Sequence, residues 1–309
     1  MRALIVTNMY PTPERPALGS FVRDQVEALR RIEGVQIDVF AFAPGGGRAY
    51  LDAARDLGRD HRDQRYDVVH AHFGLTACPA LAARAAAHAV TLHGTDLVHP
   101  RSRAITLAAL PFQALVATVS EPLAAQLPRR VVRGQTAILP TGVDTRRFKP
   151  TPRAEARAAL NLEPTGRYLL FPADPKRPEK RHDRALALAA DTQAELLTLG
   201  STAPEQVPLY VNAANAVLVP SERESFGLAV LEALACDVPV LATPVGIAPT
   251  ALEHVPGTLC APFDAPTWRA ALKPHLGSAD PPRIDGRARA EPYSTDRMAA
   301  RVLAAWRSL

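Results

Sequence analysis

The chain has 309 residues, 47% of them apolar, and its 36 basic against 31 acidic side chains leave a net charge of +5. That length suits two cores rather than one, because single cores stop growing near about 250 to 300 residues. No charge-free run of about 18 apolar residues occurs, and no charged-then-apolar leader precedes the first strand-like segment, so the chain is expected to be cytoplasmic.

Cys78, Cys236 and Cys260 are too few and too scattered for a disulfide framework or a zinc site, and are expected to be small core residues in a reducing compartment. The positive surplus lies in the first half. It points to an anionic surface, such as the inner face of a membrane, or to an acidic acceptor; an arginine-rich composition with no partner explains it equally well. Nucleic acid is not an expected partner, since the arginines are dispersed among alanines and leucines without interleaved aromatics.

Short apolar runs, each followed by a helical pattern, recur along the chain. In the first half they are 3–7, 36–41, 68–71, 89–92, 114–119 and 136–139, and in the second 168–171, 195–199, 216–219, 238–242 and a short 258–260. This alternation is the signature of parallel sheets covered by helices, and each series forms a Rossmann-like set. Residues 144–166, rich in Pro, Arg and Ala, contain the junction. The expected domains are 1–148 and 149–293, with 294–309 as a last helix after a loop over 277–293. The run Gly45-Gly46-Gly47 lacks the spacing of a phosphate-binding fingerprint and reads as a flexible turn.

The stretch 216–240 carries the most chemistry. A buried strand ends at Pro220, a polar loop holds Glu224, Ser225 serves as cap, and a helix is expected from Phe226 to Ala235. Such a helix start presents unpaired N–H groups and partial positive charge, which suits a diphosphate, and Gly227 removes a side chain where the anion approaches. With a rise of ~1.5 Å per residue, Glu232 stands roughly 7 to 8 Å beyond Gly227, about the distance from a diphosphate to its ribose. A carboxylate there accepts from vicinal hydroxyls, while Glu224 faces the sugar. An ordinary helix with two surface glutamates is the plain alternative.

Glu224 and Glu232, with Ser225-Phe226-Gly227-Leu228 and Pro239-Val240, resemble the donor signature of the family 4 retaining glycosyltransferases of the GT-B fold. In family order follow Tyr66-Asp-Val-Val-His-Ala-His-Phe73, Thr91-Leu-His-Gly-Thr-Asp96, Ala117-Thr-Val-Ser120, Leu139-Pro-Thr-Gly-Val-Asp144 and Arg147-Phe148-Lys149-Pro150. The resemblance implies an α/β protein with two Rossmann-like domains facing across a cleft, the first for the acceptor and the second for the nucleotide sugar. It also implies a last helix crossing back to the first domain. Ser225, Phe226, Gly227, Leu228 and Glu232 become donor-binding residues, Phe226 and Leu228 through their backbone alone.

Arg177 and Lys180, in the loop after the strand 168–171, resemble the family's cations for the donor diphosphate. A leaving diphosphate gains negative charge as the glycosidic bond breaks, and fixed cations lower that barrier. Two of the chain's four lysines, Lys176 and Lys180, fall in this loop, where Lys176 and Arg181 read as solvent-facing neighbours. In the first half the resemblance gives Gly19 backbone access to the donor phosphates and His93 a place against the transferred sugar; Asp96, with His93 at a strand C-terminus where parallel sheets place ligands, is expected on the acceptor side. His70 and His72 sit two apart on a strand, the spacing of a chelating pair, but lack a third ligand.

Three features depart from the family pattern: the short segment between Gly200 and the helix at 207–214, Ile247 and Thr250 after Gly246, and Thr141 before Gly142. The expected activity is transfer of a hexose from a nucleoside-diphosphate sugar to a glycan, lipid-linked or small-molecule acceptor, with retention and with neither metal nor cofactor. Two alternatives stay open: a sugar-nucleotide epimerase or disaccharide phosphorylase on the same scaffold, and a non-catalytic module binding a sugar nucleotide or a membrane.

Overall fold

The computed structural model describes residues 1–128, 130–200, 202–278 and 280–309. The expected strands are all present. β1 (Arg2–Thr7), β2 (Gln36–Ala41), β3 (Tyr66–His72), β4 (Ala85–Leu92), β5 (Leu115–Thr118) and β6 (Gln135–Ile138) form one parallel sheet in the order β2-β1-β3-β4-β5-β6. β7 (Tyr168–Phe171), β8 (Glu195–Thr198), β9 (Ala216–Val219), β10 (Val240–Ala242) and β11 (Leu259–Cys260) form a second, ordered β11-β10-β9-β7-β8. The central strands are apolar at successive positions because helices cover both faces: Ala3 to Val6 of β1 are all fully buried.

The chain divides into Met1–Gly142 with Thr295–Leu309, and Val143–Ser294. Residues 143–148, assigned from the sequence to the first domain, pack with the second unit. The reason is local: the Val143 N–H donates to the Tyr293 carbonyl at 2.9 Å, and Phe148 is buried with its carbonyl accepting from Arg287. Three smaller expectations also change. Gly47 opens the helix Gly47–Asp60, residues 277–293 contain the short helix Arg287–Ala290, and Cys78 is exposed, leaving only Cys236 fully buried. Among the described residues no helix is long and apolar enough to cross a membrane.

In the first unit, the last helix, Thr295–Arg307, buries Met298, Val302, Leu303 and Trp306 against Val22, Val26 and Leu29 of the helix Ser20–Arg30. Each such side chain contributes about 1.5–3 kcal/mol of apolar burial. Trp306 also reaches the sheet, where its indole N–H donates to His70 Nδ1 at 2.9 Å. His70 and His72, two apart on β3, share a face and stack at 5.1 Å between centroids, and His72 stacks in turn on His93 at 5.3 Å. Both ring nitrogens of His70 are engaged, with Trp306 and with Thr91, and both of His72, with Gln25 and His93. The pair therefore has no lone pair to offer a metal, and the chelating alternative is dropped.

Burial drives the His72 pKa down from 6.5 to about 4 and puts His70 and His93 well below the ordinary value. The unfolded chain then binds more protons than the fold between about pH 4 and 6.5, so the stabilising effect is complete above that window and is lost as the pH falls through it. His72 alone accounts for on the order of 3 kcal/mol. Urea unfolding of the wild type should show stability dropping between pH 6.5 and 4, and a His72→Phe variant should have a shallower slope; equal slopes would contradict neutral burial of His72.

Candidate active site

In both sheets the first strand lies between the second and the third, so consecutive connections leave in opposite directions and the loops after β7 and β9 part at the C-terminal edge. Ligands of open α/β sheets bind at such switch points. The loop after β7 runs to a 3₁₀ turn, Pro178–Lys180, and Arg181 then adopts a left-handed backbone, φ 57°, where the helix His182–Thr192 begins. The turn aims Lys180 at the neighbouring loop. Its Nζ lies 2.7 and 2.6 Å from the two carboxylate oxygens of Glu224, and the side chains are only 14% and 10% exposed.

Other contacts hold the loops together. The Glu222 N–H donates to the Glu179 carbonyl at 2.9 Å, and Arg181 bridges Asp183 and Glu222. Arg181 is thus a tie between loops, not the solvent-facing neighbour expected, because its left-handed backbone turns the side chain toward Glu222. Lys176 is exposed. Arg177 is separate from Lys180: it is 54% exposed, and its guanidinium grips Glu179 at 2.7 and 2.9 Å.

Glu224 is supported from below. Ser221, 2% exposed, donates its hydroxyl to Glu224 Oε1 at 2.8 Å, and its own carbonyl accepts from the Thr243 hydroxyl beyond β10 at 2.5 Å. The helix that follows is Leu228–Ala235, shorter than expected, with Gly227 as its cap and no side-chain cap bond. Ser225 is therefore not the cap. Gly227 adopts φ 92°, which only glycine takes readily, and that turn places the helix start two residues later than the sequence pattern suggests.

The Phe226 carbonyl accepts from Ile247 N–H at 2.6 Å. Gly246 passes so close that a Cβ there would sit 2.4 Å from this carbonyl and 2.9 Å from the Glu224 Cβ, whereas a Cβ on Gly227 meets nothing nearer than 3.7 Å. Gly246 is required by space and Gly227 by its turn. Ile247 lies with its Cγ2 3.7 Å from where a Cβ on Gly227 would sit, beside the helix start. Phe226 is buried against Tyr293, Leu228 is half-buried, and Ser225 and Glu232 are half-buried with partners inside the protein. Glu232 lies one turn before Cys236, whose thiol is pushed up to about 12 chiefly by burial and further by this carboxylate.

The arrangement offers three chemical functions at one sheet edge: a cation at Lys180, a carboxylate at Glu224, and the positive end of the helix that Gly227 caps, where the Val230 N–H turns back to the Gly227 carbonyl at 3.1 Å. In the first unit, Gly19 is buried at φ 65° where the helix Ser20–Arg30 begins, and any Cβ would strike the Met9 carbonyl at 2.1 Å. His93 is half-buried after β4, with Phe21 at 4.9 Å.

Asp96 corrects the sequence reading. It is fully buried, and its carboxylate accepts the backbone N–H groups of His93 at 2.6 Å, Gly94 at 3.0 Å, and Gly74. Burial raises its pKa while these amide donors pull it back. Asp96 shapes the loop that carries His93 and has no surface for an acceptor. Ser221, Thr243, Gly246 and Gln25 were not singled out for the site in the sequence, and His72 was weighed only as half of a chelating pair. A serine three residues before the glutamate was the one visible signal among them; the others depend on contacts between distant segments.

Gly246→Ala is expected to cost more stability than Gly227→Ala, for which a left-handed alanine costs roughly 1–2 kcal/mol. Thermal melts of the two variants measure the order, and the reverse order would contradict the contact between Gly246 and Phe226.

Family models match both halves of the chain: one described as Glycosyltransferase Family 4 over residues 18–147, and one described as Glycosyl transferases group 1 over residues 166–278. A D-inositol 3-phosphate glycosyltransferase of Actinosynnema mirum is 31% identical over 313 aligned positions, covering 80% of this chain and 73% of that protein. Among relatives of that name the chain spans between 43 and 73% of their length. The sucrose-phosphate synthase of Thermosynechococcus elongatus superposes with a TM-score of 0.77 at 19% identity, over 100% of this chain and 99% of that one. HepE from Anabaena, solved with UDP-glucose, gives 0.68 at 16% identity over 99% and 100%. Matched by a family model in each half and by a relative over most of both lengths, the chain belongs to the group 1, family 4 glycosyltransferases and has their GT-B architecture of two Rossmann-like units.

Proposed function

We propose that the chain transfers a hexose from a nucleoside-diphosphate sugar to an acceptor hydroxyl, with retention at the anomeric carbon and without a metal ion. The observation that carries this reading is the near-buried Lys180–Glu224 contact beside the helix start at Gly227. A diphosphate that reaches this edge meets a cation and a row of amide donors, and a carboxylate is left for hydroxyls of the sugar.

In this reading the Val143–Ser294 unit holds the donor. Lys180 turns from Glu224 to the phosphates, Glu224 orients the sugar, Glu232 accepts from the ribose, and Arg177 swings from Glu179 to the developing charge. As the bond from the anomeric carbon to the phosphate oxygen breaks, the electron pair goes to the diphosphate, where fixed positive charge is most effective. The acceptor hydroxyl attacks the same face and its proton passes to the departing oxygen, so no protein base is assigned. The Met1–Gly142 unit supplies the acceptor side, with His93 against a sugar hydroxyl. Relatives named for D-inositol 3-phosphate make a phosphorylated polyol the first acceptor to assay, ahead of glycans and lipid-linked sugars. Free Cys78, Cys236 and Cys260 suit a cytoplasmic setting.

Glu224→Ala and Lys180→Ala should each lower kcat by about 10²–10³ with circular dichroism unchanged. Near-normal transfer in either folded variant rejects the site. Glu224→Gln separates the two roles: it should lose transfer yet bind nucleoside diphosphate at least as tightly as wild type, since Lys180 no longer has a competing anion; weaker binding by calorimetry would argue against that competition. A thermal-shift screen with UDP-, GDP-, ADP- and dTDP-sugars should identify the donor as the one that raises Tm, and a rise that depends on an added divalent cation would overturn metal independence.

A further inference from the structure

We infer that Gln25 and His72 are positioning residues that fix the ring proton of His93 on Nδ1, so that His93 offers its ligand a hydrogen-bond donor and not an acceptor. The starting point is the orientation of one buried amide. The Gln25 Nε2 amide has only hydrogens to give, and it lies 3.0 Å from His72 Nε2 in a setting where both residues are buried. His72 Nε2 must therefore accept.

A neutral imidazole carries one ring proton, so that of His72 is on Nδ1, which points at His93 Nε2 from 3.1 Å. His93 Nε2 accepts it, and the proton of His93 is left on Nδ1. Neutrality follows from the surroundings: three imidazoles stack in series, two of them fully buried, and burial with the neighbouring rings holds all three pKa values below the ordinary range. The neighbouring line runs the same way. Trp306 N–H, which can only donate, makes His70 Nδ1 an acceptor and directs the His70 Nε2 proton to Thr91 Oγ1 at 2.8 Å.

The polarity is set at the amide of Gln25, on the helix Ser20–Arg30, and is delivered through one ring to a loop residue after β4. Turning that amide over would present its oxygen to His72 and reverse each later step. Asp96 supplies the other half of the placement by holding the backbone N–H groups of His93 and Gly94. The loop is fixed from behind while the ring proton is fixed from the side. A ligand hydroxyl meeting His93 Nδ1 is obliged to accept there, and its own proton stays available for another acceptor.

The functional half of this inference rests on the reading that His93 meets a ligand hydroxyl, and the test keeps the two apart. Imidazole ¹⁵N correlation spectra of the ligand-free protein report each tautomer directly. The expected wild-type spectrum has His93 protonated on Nδ1 and His72 on Nδ1; a proton on His93 Nε2 overturns the inference, whatever the activity. Gln25→Met keeps the volume and removes the donor, and His72→Phe keeps the stack and removes the relay. Each should shift His93 toward the Nε2-protonated form and lower kcat about tenfold with KM changed less than about twofold. Unchanged kcat in both variants, with His93→Ala impaired, overturns the positioning role. Near-normal transfer by His93→Ala rejects contact of His93 with the ligand, and the spectra still judge the proton placement by itself.

Discussion

The second unit is organised by one electrostatic contact. Lys180 and Glu224 meet at 2.6 Å while largely withdrawn from water, on loops that leave adjacent strands β7 and β9. Two charges in such a place are tolerated because each has a partner, and removing one leaves the other desolvated and unpaired, typically at a cost of about 3–5 kcal/mol. The Ser221 hydroxyl adds a second donor to the carboxylate, and the Thr243 hydroxyl fixes Ser221 in turn. Gly246 then allows the Phe226 carbonyl to dock on Ile247, which sets the angle at which the helix Leu228–Ala235 begins. Lys180, Glu224 and the helix start are consequently held by one another.

The same unit shows arginine in a role lysine could not fill. Arg157 is 1% exposed, with its guanidinium divided among the Ala213 carbonyl, the Pro164 carbonyl and Asn215, and its plane 5.0 Å from the Tyr168 ring. Arg287 gathers the carbonyls of Thr145, Phe148 and Ala235, and Arg283 those of Thr151, Asn212 and Cys236. A planar fork with five donors satisfies several carbonyl oxygens at segment ends, which a single ammonium cannot reach. These arginines fasten segments together. In the first unit, too, the helix Gly47–Asp60 answers Arg48, Arg55 and Arg59 with Asp52, Asp56 and Asp60.

The legible part of the fold was the part with a period. Buried parallel strands read as short apolar runs, and the strand-loop-helix stretch around Glu224 stood out because its polar residues interrupt two such runs. Features set by backbone turns or by distant partners did not read. Ser225 has the chemistry of a cap, yet Gly227 takes the left-handed turn and becomes one. Asp96 has the look of an exposed polar residue after a strand, yet three backbone amides from two loops enclose it. Arg181 looked solvated because its partner Glu222 is 41 residues away. In each case the local pattern was correct about residue type and silent about the direction in which the side chain turns.

Direction also governs the first unit, where identical side chains take different roles along one line. His70, His72 and His93 differ little as sequence symbols, but their neighbours are unequal: an indole that can only give, an amide turned to give, and a hydroxyl that can receive. A histidine surrounded by water samples both tautomers, whereas one held between fixed donors and acceptors has a single proton position. Trp306 takes part from the far end of the chain, because the last helix packs on the helix Ser20–Arg30 and brings its indole to β3. The packing that buries the apolar face of that helix thus also fixes an imidazole beneath the sheet edge, and hydrophobic burial and proton placement are consequences of the same contact.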